Sequence, residues 1–85
     1  MEANCRVLWD AQFFDWVEQA HPTGSQCFQL FNWVLDVTEF GPPPDSLRAA
    51  EPGVLVRTLE EARLNVFYVA WADGSTIGVV EFISW

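Results

Sequence analysis

From Leu64 to Trp85 apolar residues occupy both phases of a period-two pattern, interrupted only by Asp73-Gly74 and its neighbours. An Asp-Gly pair between alternating apolar runs is the signal for a two-residue type I′ hairpin loop. It predicts Ala72 opposite Ser75, Trp71 opposite Thr76 and Phe67 opposite Val80. Side chains alternate between the two faces of a strand, so one face is expected to carry Phe67, Val69, Trp71, Val80 and Phe82. The other face is expected to carry Leu64, Val66, Tyr68, Ala70, Ile77, Val79 and Ile83, with Glu81 as a buried acid among them. An antiparallel hairpin with one wet side shows one polar row. Neither row here is polar, so one face should pack on helices and the other should meet a partner.

The pattern upstream supplies the helices. Cys5–Trp9 alternates as a short strand, and Asp10 stands where an N-cap belongs. A helix over Ala11–Ala20 places Phe13, Val17 and Ala20 on one side, flanked by Phe14 and Trp16. His21-Pro22-Thr23-Gly24 breaks it, and Thr23 or Ser25 can cap a second helix. In that helix Gln26, Gln29, Asn32, Asp36 and Glu39 form a narrow polar stripe on an apolar cylinder, which implies cover on most sides. Gly41 and then Pro42-Pro43-Pro44 end it. Asp45–Glu51 is a helical turn or a loop, Val54–Leu59 a strand, and Glu60–Arg63 the connection into the hairpin. The expected fold is α+β, with two helices on one face of a small, mainly antiparallel four-stranded sheet in β-α-α-β-β-β order. All 85 residues form one domain.

Charge changes the picture of what that open face can bind. The chain has twelve acids, four arginines and no lysine, for a net charge of −8. Phosphate binding runs on Lys and Arg, so nucleic acid and anionic membrane surfaces are disfavoured partners, and basic proteins are favoured. Met1-Glu2-Ala3-Asn4 lacks the basic-then-apolar character of a signal peptide, and no apolar run is long enough to span a bilayer. A cytoplasmic protein with Cys5 and Cys27 reduced is the expectation. Five Trp and seven Phe in so short a chain suit an interface.

Two segments resemble the RelE/ParE/HigB superfamily of small toxins. Gly41-Pro42-Pro43-Pro44, Leu47 and Gly53-Val54-Leu55-Val56-Arg57-Thr58-Leu59 are similar to its glycine-proline and G-x-x-x-R segment. Asn65-Val66-Phe67-Tyr68-Val69 with Asp73-Gly74-Ser75-Thr76-Ile77 is similar to its R-V-F-Y … D-G … I hairpin. The resemblance implies a ribosome-dependent messenger RNA endonuclease, a gyrase poison or a degenerate relative, neutralised by an antitoxin. Asn65 replaces the usual arginine, with Arg63 displaced beside it, and the family's basic C-terminal residues are missing. If the chain is an active toxin, Arg57, Arg63 and Tyr68 are its candidate catalytic set.

No other chemistry is indicated. His21 has no Cys or carboxylate partner at metal-ligand spacing, and Cys5 and Cys27 have no cationic neighbour in sequence to activate them. No motif calls for a cofactor or a metal. The sequence therefore predicts a small acidic protein-interaction domain, a homodimer shaped like a toxin, with an antitoxin or a basic protein as heterologous partner. The predicted interface is Phe67, Val69, Trp71, Val80, Phe82 and Trp85. Burying Phe67, Trp71, Val80 and Phe82 across it yields a gross gain on the order of 10 kcal/mol before association costs. The alternatives are the active toxin and a small-ligand module with an aromatic pocket.

Overall fold

Strand β1 (Arg6–Leu8) leads into helices α1 (Asp10–Ala20) and α2 (Gly24–Phe40), and strands β3 (Leu55–Leu59), β4 (Leu64–Ala70) and β5 (Thr76–Ser84) follow. This is the predicted β-α-α-β-β-β order. A two-residue strand, β2 (Leu47–Arg48), is added at one edge. The computed structural model describes residues 5–41 and 47–85, for Leu47 the backbone alone. Pro42-Pro43-Pro44, Asp45 and Ser46 lie outside the described residues. The sheet order is β1-β5-β4-β3-β2, with β1 parallel to β5 and every other pair antiparallel.

Both helices pack on one face of the sheet. Leu64, Val66 and Tyr68 of β4 and Ile77, Val79 and Phe82 of β5 are buried against Trp16 of α1 and Leu30, Trp33 and Val37 of α2. Ring contacts mark the two seams: Trp16 lies 5.3 Å from Phe82, and Trp33 lies 5.9 Å from Tyr68. Such pairs add to the apolar burial that holds the layers together.

Local chemistry sets the helix ends. Asp10, expected as the N-cap, is instead the first residue of α1, and Trp9 occupies the cap without a side-chain bond. The carboxylate still sits at the positive end of the helix dipole. Trp16 is the buried residue of α1, whereas Ala20, expected inward, is exposed. Thr23 caps α2 in a reciprocal box: its hydroxyl accepts from Gln26 N at 3.1 Å, and Gln26 Oε1 accepts from Thr23 N at 3.0 Å. Gln26 Nε2 also donates to Ala62 O at 3.0 Å, tying the helix to the 3-10 turn Glu60–Ala62. Thr23→Ala is expected to lower stability by about 1 kcal/mol, read from urea unfolding. At the other end Gly41 adopts φ 90°, a conformation open to glycine.

The hairpin departs from the predicted one in two places. Its loop has four residues, Ala72–Ser75, closed by Trp71 N donating to Thr76 O at 2.9 Å and Gly74 N donating to Trp71 O at 3.1 Å. A type I′ loop needs positive φ at both central residues, and of Asp73 and Gly74 only Gly74 has it, at 73°. The reason is the carboxylate of Asp73, which accepts from Ser75 N at 2.9 Å and from the Thr76 hydroxyl at 2.8 Å. That is the self-capping turn an Asp forms when the following residues offer donors.

The second departure is a β-bulge. Tyr68 pairs with Val79, but Phe67 pairs with Glu81, which leaves Val80 as the extra residue. Beyond it every side chain of β5 changes face relative to a straight ladder. Phe82, expected outside, is in the core, and Ile83, expected inside, is 43 % exposed. Glu81 is exposed rather than the predicted buried acid. A buried unpaired carboxylate is expensive, and one extra residue avoids it.

The turn carries a pH signature. Hydrogen bonds from Ser75 N–H and the Thr76 hydroxyl hold the Asp73 carboxyl below its ordinary range. A depressed folded pKa stabilises above the unfolded value, and the gain is lost as pH falls through the folded pKa. Asp73→Asn is therefore expected to flatten the acid limb of a stability-against-pH curve, measured by urea unfolding in steps below about pH 5.

Candidate functional site

The outer face of the sheet is built from residues that register places opposite one another. Val56, Phe67 and Glu81 form one row, Val69 and Gly78 a second, and Thr58, Asn65 and Ile83 a third. Trp71 extends the β4 line and lies across Gly78: a Cβ there would meet Trp71 Nε1 at 3.4 Å and Val69 Cγ2 at 3.7 Å. The missing side chain gives the indole a flat seat. Trp71 is 50 % exposed and Val80 44 %, while Phe67 and Val69 are half-buried. Among the described residues no helix covers this face, because both pack on the other.

The structure thus brings Phe67, Val69 and Trp71 to the open side of the sheet, while Val80 is exposed at the bulge, beside the α1 cleft. Phe82 does not belong with them, since the bulge turns it onto Trp16. Trp85 lies just past β5, exposed, with its backbone N–H donating to Arg63 O at 3.1 Å.

A second apolar surface, on the helix layer, was not anticipated. The polar stripe of α2 implied cover on most sides, yet Phe28, Phe31 and Leu35 are exposed, as is Phe14 of α1. Edge-on contacts link Trp9 to Phe13 at 5.0 Å and to Phe31 at 5.5 Å. The signal was present in the spacing. Phe28, Phe31 and Leu35 repeat at i, i+3, i+7, and so do Leu30, Trp33 and Val37. Only the second row meets the sheet.

The candidate catalytic set is not presented to solvent as a unit. Tyr68 is fully buried under Trp33. Arg57 shares the helix-side face with Val66 and is half-buried, its Nε enclosed. Arg63 is exposed after the 3-10 turn, in the left-handed region at φ 52°. A phosphate outside the domain cannot reach the Tyr68 hydroxyl without opening the core.

Cys5 and Cys27 are free thiols, and burial pushes the Cys5 thiol up, away from reactivity. His21 is exposed and ends α1 in the left-handed conformation. Among the described residues no group of three or more His, Cys, Asp or Glu is placed to hold a metal ion. No described helix is long and apolar enough to cross a membrane. Compared with protein-family models, curated proteins and solved structures, the chain matches none of them.

Proposed function

We propose that this chain is a small acidic protein-interaction domain that forms a homodimer through the outer face of its sheet. The observation that carries the reading is the uncovered apolar surface there, centred on Trp71 over Gly78, with Val69 and Phe67 beside it and Val80 and Ile83 at its margin. Contiguous exposed apolar patches on small domains mark association sites. A self-complementary face also suits a two-fold dimer, in which the same patch serves both copies.

A toxin-like domain without a nucleic-acid surface fits the same reading. The element order is the one the resemblance implies, whereas the charge of −8 and the sealed Tyr68 speak against an active endonuclease. An antitoxin-like or basic protein in a cytoplasmic setting is the heterologous partner of this proposal. Sedimentation velocity over a range of concentrations is the test. A concentration-dependent dimer is expected, and a monomer at every concentration overturns the dimer.

A further inference from the structure

Strand β5 is nine residues long, but β1 accompanies only Thr76, Ile77 and Gly78. On that side Val80–Ser84 has no neighbouring strand among the described residues. An open strand edge is a template for another extended chain. Beside this edge runs a groove made of two successive clefts, of about 370 and 290 Å³, which share Gln12. The first borders Gly78 and Val79, and the second borders Val80, Glu81 and Phe82, with α1 as the opposite wall.

The lining states what should fill it. Asp10 lines the first cleft, and Asp15 and Glu81 line the second; no Lys, Arg or His lines either. A second, independent feature sits in the wall. Trp16 lines the second cleft, is 6 % exposed, and its buried Nε1 has no hydrogen-bond acceptor. Buried donors are nearly always satisfied, and a carbonyl of a chain in the groove reaches this one only if the Trp16 ring turns toward the cleft. A second copy of β5 is the wrong occupant, because it would set Glu81 and Asp15 against their own kind.

We propose that this groove binds an extended basic segment of a partner protein by adding a strand to the free edge of β5. Backbone pairing would give the affinity, and alternate Arg or Lys side chains turned to the α1 side would meet Asp10 and Asp15. At 3.2–3.4 Å per residue, the five residues Val80–Ser84 offer roughly 17 Å of edge, enough for a segment of about five residues. The inference rests on the chain being a protein-interaction domain, but not on the dimer.

The test uses the full chain, labelled with ¹⁵N, and a capped hexapeptide alternating Arg and Val. Two controls accompany it: the Glu/Val counterpart, and the Arg/Val peptide N-methylated at every residue, which keeps its charge and loses its backbone donors. Chemical-shift changes are expected along residues 78–84 and at the Trp16 indole N–H. Binding is expected to weaken at least about tenfold in Asp10→Lys/Asp15→Lys, both exposed positions, with the ¹⁵N spectrum of the variant reporting that it is folded. It should persist in Trp71→Glu, so that failure of the dimer and failure of the groove are separable. Equal binding of the N-methylated or the acidic peptide, shifts centred on Trp71 instead, or no binding at all would overturn the proposal.

Discussion

Trp71→Glu is expected to turn the proposed dimer into a monomer while leaving the fold intact. Truncated aromatic anchors at interface centres typically cost about 2–4 kcal/mol, which is roughly a 30- to 700-fold loss of affinity. In a two-fold dimer the loss occurs twice, and each new carboxylate is also pressed into an apolar surface. The indole is half exposed and lies over Gly78 outside the core, so the isolated domain loses little packing with it. Sedimentation velocity reports the oligomer, and a thermal melt reports the fold. A dimer that survives this substitution unchanged would place the interface elsewhere, and the stripe Phe28, Phe31 and Leu35 on α2 would be the next surface to vary.

Phe82→Ala is expected to be severe and Glu81→Ala nearly silent. Phe82 is 7 % exposed and packs on Trp16 at 5.3 Å. Removing a buried Phe ring costs about 3–5 kcal/mol, out of a total near 5–15 kcal/mol for a small domain. The midpoint of thermal unfolding should fall by roughly 12–40 °C. Glu81 is exposed one position earlier, and its loss should stay within about 0.5 kcal/mol. A straight ladder would reverse the two results, because it would bury Glu81 and expose Phe82. The pair of melts therefore tests the bulge at Val80 directly.

The bulge marks where sequence reasoning stopped. Helix and strand positions follow from local rules: Thr23 and Gln26 form the box their spacing suggests, and Gly41 ends α2 where apolar periodicity ends. The choice between pairing Phe67 with Val80 or with Glu81 is not local. Both Val79 and Val80 suit a strand, and the decision depends on Phe82 finding Trp16, 66 positions away along the chain (82 − 16). Turn chemistry hid a second point. Asp73-Gly74 alone favours the two-residue loop, but Ser75 N and the Thr76 hydroxyl draw the carboxylate into a different turn. On α2, counting the polar stripe concealed that the apolar remainder forms two rows, of which the sheet takes one. The outer face was legible through Trp71, Val69 and Phe67, since they precede the bulge in the hairpin. The groove beside β5 was not, because it arises from the difference in length between β1 and β5.

The pairing of β1 with β5 also dictates an order of events. Val7 meets Ile77 across 70 positions of sequence (77 − 7), a separation that slows chain closure. During synthesis α1 and α2 leave the ribosome before the strands that shelter Trp16, Leu30 and Trp33 exist. Nascent chains with naked aromatic helices are prone to stick to one another or to chaperones. The long-range parallel pairing thus creates a window of vulnerability that closes only once β5 has also left the ribosome.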